Sequence, residues 1–82
     1  MDQAKTGRLI RDLRQKLNMT QEEFAHALGI TVSTVNRWEN GHSEPSKLAR
    51  ASIVALADKR GVMLDPNTLA VQQPAAMEAY AR

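Results

Sequence analysis

The chain has 82 residues, no cysteine and few aromatic residues, which are one Trp, one Tyr and one Phe. Without thiols it forms neither disulfides nor thiolate metal sites, and the composition is compatible with the cytosol. No apolar run approaches the roughly 18 residues of a membrane span, and the first ten residues lack the apolar core of a secretory signal. We therefore expect a cytoplasmic protein that makes no membrane contact.

Enzyme motifs are also missing from the sequence. No Ser/His/acid set stands at motif spacing, and there is no glycine-rich phosphate loop. The two histidines, His26 and His42, are isolated and have no third ligand. Because a chain of this length forms one small domain with a thin core, it does not easily enclose a substrate pocket. The sequence therefore predicts no enzymatic activity, no cofactor and no bound metal.

Apolar periodicity and capping residues predict two helices in the first thirty positions. The first helix, at about 4–17, carries an apolar stripe with the i, i+3, i+7 spacing of one helical face. Asn18 suits the left-handed conformation that follows a helix end. Thr20 and Glu23 form a capping box at the start of the second helix. Gly29 ends that helix, because glycine readily adopts a positive φ.

Two further helices are predicted after Gly29. Thr31 and Ser46 are suitable N-caps for a third helix at 32–40 and a fourth at about 47–60. A composition rich in Leu, Ala and Ile fits the all-α class. The broad apolar face expected on the fourth helix comprises Leu48, Ala49, Ile53, Leu56 and Ala57.

The helical pattern weakens after Gly61. We therefore divide the chain into a domain at 1–61 and a tail at 62–82 that is flexible in the isolated monomer. The alternative for this tail is contact with a second copy through residues 62–71, or with another partner.

The third helix has one apolar and one polar side. At 100° per residue, Val35 and Trp38 share the apolar side. The polar side, with Glu39 only at its edge, has hydrogen-bonding groups, one guanidinium and no carboxylate; it suits base edges and phosphates better than a core. Its members are Ser33, Asn36, Arg37 and Asn40.

Individual positions of this helix leave alternatives open. The planar fork of Arg37 matches guanine O6 and N7, a pairing that discriminates between bases by about 1–3 kcal/mol. The alternative for Arg37 is a surface residue paired with Glu39 or solvent. Asn36 suits adenine or a phosphate, and Val32 suits a thymine methyl or the margin of the core.

Basic residues crowd the first segment, where only Asp2 and Asp12 oppose them. A local basic surface of this kind attracts phosphates; the alternative is a solvated helix face, with Arg8 and Arg11 in water. The basic residues are Lys5, Arg8, Arg11, Arg14 and Lys16.

The stretch TQEEFAHALGITVSTVNRWENGHSEPS resembles the helix-turn-helix core of the phage repressor and Cro family, also called the XRE family. The resemblance covers roughly residues 8–56 and implies a lambda-repressor-like bundle of four to five short helices. It further implies that the third helix enters the major groove of DNA. The positions that match the family's recognition residues are Val32, Ser33, Asn36 and Arg37.

The resemblance implies roles for residues outside the third helix as well. Thr20 and Gln21 match positions that contact phosphate and sometimes a base. Arg14 and Glu39 match a structural ion pair between the first helix and the end of the third. The positions that match backbone-contacting residues of the family are His42, Ser43 and Lys47.

These observations predict a sequence-specific regulator of transcription, with repression by operator occupancy as the expected mode and double-stranded DNA as the partner. A homodimer would place two third helices about 34 Å apart on a near-palindrome. One alternative is an antitoxin whose tail at 62–82 holds a toxin. Others are a protein-binding helical module without base readout and the front domain of a longer enzyme that acts on DNA.

Overall fold

The computed structural model describes residues 3–71 and contains four α-helices in that range. They are α1 (Gln3–Lys16), α2 (Gln21–Leu28), α3 (Val32–Glu39) and α4 (Lys47–Lys59). The only β-type pairing among these residues is an isolated antiparallel bridge between Leu64 and Val71. The all-α class is confirmed, and no helix in the described range has the length and apolarity needed to span a membrane.

Side-chain caps define the starts of α2, α3 and α4, as predicted. The capping box is complete, because Thr20 Oγ1 accepts from the Glu23 amide at 3.1 Å and Glu23 Oε1 accepts from the Thr20 amide at 2.9 Å. Thr31 accepts from the amide of Thr34 at the start of α3, and Ser46 caps α4 in the same way. The helix boundaries therefore agree with the predicted ones to within a residue or two.

The core lies between the four helices and the segment that follows α4. α1 packs against α3, and α2 packs against both α3 and α4. Ala25 of α2 is buried in the core. The fully buried large side chains are Phe24, Ile10, Leu13, Ile53, Leu69 and Val35.

Two predictions about the C-terminal half need correction. Leu48 was expected in the apolar face of α4, but it is 79% exposed. Its neighbour Ala49 points to the core together with Ile53, and at 100° per residue this rotates Leu48 away from the buried side.

Residues 62–71 differ from the flexible tail expected after Gly61. Leu64 and Leu69 are 6% and 1% exposed and belong to the main core. A turn between them is closed by a hydrogen bond of 2.7 Å from the Leu69 amide to the Asp65 carbonyl, and Arg50 donates to the Asn67 carbonyl at 2.9 Å. The packed domain thus extends to residue 71, and the remainder of the predicted tail, 72–82, lies outside the described residues.

Gly7 allows the close contact between α1 and the end of α3. A Cβ atom at this position would lie 2.5 Å from the Trp38 carbonyl oxygen and 2.7 Å from the Glu39 carbonyl oxygen. Both obstacles are backbone atoms, so they cannot move aside as the end of a flexible side chain would. Only glycine therefore fits here without displacing one helix from the other.

We expect Gly7→Ala to destabilise the domain, because forcing atoms into a packed contact typically costs about 1–3 kcal/mol. The better helix propensity of alanine, about 1 kcal/mol, offsets part of this cost. Urea denaturation followed by circular dichroism measures the difference. Gln15→Ala, at an exposed site of α1, is the control, because it changes helix propensity without introducing a steric contact. A Gly7→Ala domain as stable as that control would contradict the close contact.

Candidate nucleic-acid interface

The outer side of α3 presents the four residues predicted to read bases. Val32 is 40% exposed, and Ser33, Asn36 and Arg37 are also exposed. Val35 and Trp38, on the opposite side, are buried in the core. The two-sided character predicted for α3 is therefore confirmed, whereas the DNA contacts of its outer side stay predictions.

The structure narrows the alternatives for two of these residues. Arg37 forms no ion pair within residues 3–71, and Glu39, its predicted alternative partner, is paired with other arginines. The Asn40 side-chain amide donates to Asn36 Oδ1. The NH2 group of Asn36 is therefore the part of its side chain that is freer to bind a ligand. Arg37 is thus available to a ligand, and Asn36 is best suited to donate a hydrogen bond to an acceptor on a ligand.

Glu39 is the buried anchor beneath this surface. Its side chain is 0% exposed, yet both carboxylate oxygens accept hydrogen bonds, because three side chains converge on the carboxylate. Arg14 binds it with two nitrogens, Nε to Oε2 at 2.7 Å and Nη2 to Oε1 at 3.2 Å. Gln21 Nε2 donates to Oε1 at 3.1 Å, and Arg11 Nε lies 3.4 Å from the same oxygen. The structure thus contains the predicted Arg14–Glu39 pair and extends it to α2.

Opposing effects act on the protonation of this pair. Burial by itself would raise the pKa of Glu39, but the hydrogen bonds from Arg14, Gln21 and Arg11 together lower the pKa below its ordinary value. The hydrogen bond to Glu39 raises the pKa of Arg14, although burial acts in the other direction. Both groups are therefore charged at neutral pH, and the pair stabilises the fold.

The start of α2 places Thr20 and Gln21 next to this anchor. Thr20 is exposed, and its hydroxyl oxygen is used by the helix cap, so the hydroxyl proton is its free donor. Gln21 is half-buried, and one of its two amide protons is directed at Glu39. Each residue keeps one donor for a phosphate oxygen, which is compatible with the contact predicted for it.

The remaining predicted contacts lie in the connection from α3 to α4. The His42 amide donates to the Arg37 carbonyl at 2.9 Å, which fixes the start of the loop to the end of α3. His42 and Lys47 are exposed and Ser43 is half-buried. Their phosphate contacts stay predictions. Among the described residues, no three His, Cys, Asp or Glu side chains are grouped so as to hold a metal ion.

Sequence reasoning missed Arg11 as a member of the Glu39 cluster and expected it in water. The available signal was its position three residues before Arg14, since residues with that spacing are neighbours on a helix surface. Arg11 is nevertheless 46% exposed, so it reaches from the buried carboxylate to the surface.

We predict that Glu39→Gln lowers the stability of the domain and removes part of its acid sensitivity. A carboxyl group with a lowered pKa in the folded state stabilises fully above its unfolded pKa of about 4.3, and this contribution is lost as pH falls through the folded pKa. Breaking the pair at neutral pH is expected to cost about 3 kcal/mol.

Thermal melts of both proteins between about pH 7 and pH 3 test this. The difference in melting temperature should shrink as the pH falls. Glu22→Gln, which alters an exposed carboxylate, is the control and should follow the wild type. A constant difference at every pH would show that ionisation of Glu39 does not stabilise the fold.

Comparison with known proteins identifies the motif. The family model described as helix-turn-helix matches residues 10–49. An uncharacterised HTH-type transcriptional regulator of Methanothermobacter thermautotrophicus is 42% identical over 48 residues, which cover 52% of this chain and 70% of that protein. The type II methyltransferase M1.ScrFI of Lactococcus lactis subsp. cremoris is 43% identical over 49 residues, or 56% of this chain.

The chain spans only 13% of the length of that methyltransferase. Among solved structures, the restriction-modification controller protein C.AhdI from Aeromonas hydrophila superposes with a TM-score of 0.69 at 26% identity, over 83% of this chain and 96% of its own. The residues matched by the family model, 10–49, include α2, α3 and the turn between them. The chain therefore belongs to the XRE family of helix-turn-helix DNA-binding domains.

Proposed function

We propose that this protein is a sequence-specific regulator of transcription that reads the major groove of DNA with α3 and represses by occupying an operator. The observation that carries the proposal is the charge arrangement of α3. Its one carboxylate, Glu39, is buried and paired, while its exposed side holds donors and the unpaired Arg37. DNA thus meets no negative charge on this helix.

The dimensions and chemistry of α3 suit the major groove. A helix with its side chains is about 10–12 Å across, and the groove, about 12 Å wide, admits one helix. Arg37 is free to form the two-nitrogen contact with guanine, and the Asn36 NH2 group suits an acceptor on a base edge or a phosphate. Val32, at the start of the helix, offers methyl groups to thymine.

Phosphate contacts at both sides of α3 would hold it in register. Such contacts position a protein on the duplex without reading its sequence. Thr20 and Gln21 flank α3 on the α2 side, and the connection to α4 flanks its C-terminal end. The residues proposed there are His42, Ser43 and Lys47.

An exposed face of α4 that no other described residue covers supports a homodimer on a near-palindromic operator. This face combines one large apolar residue with small ones, namely Leu48, Ala51, Ser52 and Ala55, all exposed. An antiparallel pair of α4 helices related by a twofold near Ala51 would lay Leu48 over Ala55 of the partner subunit.

One relative supports regulation, and another supports an alternative. The controller protein C.AhdI matches over nearly its full length, which favours a regulator without catalysis of its own. We propose that this chain acts on DNA in the cytoplasm. The methyltransferase match favours a second candidate, the DNA-binding part of a longer enzyme. The antitoxin alternative stays a prediction, and it requires a toxin to co-purify with this chain.

We predict that Arg37→Ala relaxes the preference at one or two base pairs, because it removes a discrimination of about 1–3 kcal/mol. Selection from a random duplex library measures the preference for both proteins. Lys47→Ala is the control; it should weaken binding to all sequences alike and lower the salt slope by about one unit. If Arg37→Ala also weakens all sequences equally, its role as a base reader is wrong.

We predict that Leu48→Glu converts the dimer to a monomer without unfolding it, because the residue is exposed in the monomer and a charge there opposes α4 pairing. Sedimentation equilibrium measures the association. Met63→Glu, at another exposed apolar residue, is the control and should leave the dimer intact. A dimer that survives Leu48→Glu would place the interface elsewhere.

A further inference from the structure

Arg11 is the least satisfied member of the Glu39 cluster. Its Nε lies 3.4 Å from Glu39 Oε1, and its side chain is 46% exposed. Neither of its two terminal nitrogens has a hydrogen-bond partner among residues 3–71. Arg14 differs, because all three of its nitrogens are used, two by Glu39 and Nη1 by the Met19 carbonyl at 3.0 Å.

The cluster therefore carries an excess positive charge that is concentrated at the surface. Two guanidinium groups face one carboxylate, and Arg14, at 15% exposure, is the more buried and the more strongly bonded of the two. Glu39 is neutralised mainly by Arg14 at 2.7 Å. The charge left over belongs to Arg11, whose terminal nitrogens are available to an anion.

Gln21 lies beside Arg11 at the same oxygen of Glu39. Its Nε2 donates to Oε1 at 3.1 Å, which determines which end of the amide is directed at the carboxylate. One N–H of that nitrogen remains available. The buried carboxylate thus holds a guanidinium from α1 and an amide from α2 at the same oxygen, although the two residues are ten positions apart in the chain.

We propose that Arg11 and Gln21 together bind one phosphate of the DNA backbone, and that Glu39 is the positioning residue that orients both. A phosphate offers only acceptors, and arginine binds it through paired N–H groups. Because the inner end of each side chain is already held by Glu39, less conformational freedom is lost on binding than for a free surface arginine. The inference rests on the proposed function and adds Arg11 to the DNA contacts.

The test is the salt dependence of binding to a short duplex of mixed sequence. Each phosphate contact contributes about 0.9 to the slope of log K against log salt. Arg11→Gln should lower the slope by this amount and weaken binding about fivefold at about 0.15 M salt. Lys16→Gln is the matched control, since it removes one exposed charge from the same helix on the side that faces Ala70 and Val71.

A double-mutant cycle tests whether the two residues share a phosphate. Arg11→Gln should weaken binding less when Gln21 is already alanine, and the slope of the double variant should remain about one unit below that of the wild type. If Arg11→Gln changes the salt slope no more than Lys16→Gln does, the proposed phosphate site is wrong. Independent, additive losses from Arg11→Gln and Gln21→Ala would overturn the shared phosphate.

The salt slope of Glu39→Gln tests the positioning role separately from stability, because loss of stability alone does not change this slope. At a temperature where circular dichroism shows the variant folded, its salt slope should already be lowered, and adding Arg11→Gln should change it little. A full effect of Arg11→Gln in that background would overturn the positioning role. If Glu39→Gln does not fold, the cycle between Arg11 and Gln21 decides the proposal.

The same measurements separate this inference from the proposed function. If the wild type enriches no motif from a library but Arg11→Gln lowers the slope, the phosphate site stands and sequence-specific regulation fails. If the wild type enriches a motif and Arg11→Gln leaves the slope unchanged, only the phosphate site fails. A wild type that binds no duplex overturns both.

Discussion

The buried carboxylate of Glu39 is the interaction on which the arrangement of the first three helices depends. Removing such a charge from water costs several kcal/mol, and the cost is offset only where hydrogen bonds and an opposite charge replace the lost solvent. Arg14 from α1 and Gln21 from α2 supply these at 2.7–3.2 Å. Because the charge stays compensated only in this geometry, the cluster specifies how α1 and α2 are oriented against the end of α3.

The same cluster also determines which side chains α3 exposes. α3 has eight residues, which is too short for a stable isolated helix in water. Its orientation comes from Val35 and Trp38 in the core, from Gly7 beneath its last turn and from Glu39. Once these groups have been drawn inwards, the outer side retains only neutral polar groups, Val32 and Arg37. The constraint that positions the helix thus also makes its surface attractive to a polyanion.

The helices and their caps were predictable because they depend on local chemistry. Packing between segments that are distant in the chain was not predictable from the sequence. Thr20 with Glu23, and Ser46, mark helix starts through contacts three residues away, so the sequence contains the whole signal. The Arg14–Glu39 pair was implied by family resemblance, since nothing local links positions 25 apart. The prediction for Leu48 was wrong because α4 has apolar residues on more than one side, so the sequence pattern does not show which side faces the core. Leu64 and Leu69 were missed because no helical or strand period joins them.

Arg11 shows why the functional surface is harder to predict than the fold. Its spacing from Arg14 places it near the ion pair, but only the structure shows that Arg14 binds the carboxylate with two nitrogens and leaves Arg11 with surplus charge. A buried group can therefore determine the chemistry of an exposed one without contacting DNA itself. With the proposed phosphate site, stability and binding share Glu39, so we expect a substitution there to change both properties together. The outer residues of α3, which do not contact Glu39, are the positions where we expect base preference to change while the fold is retained.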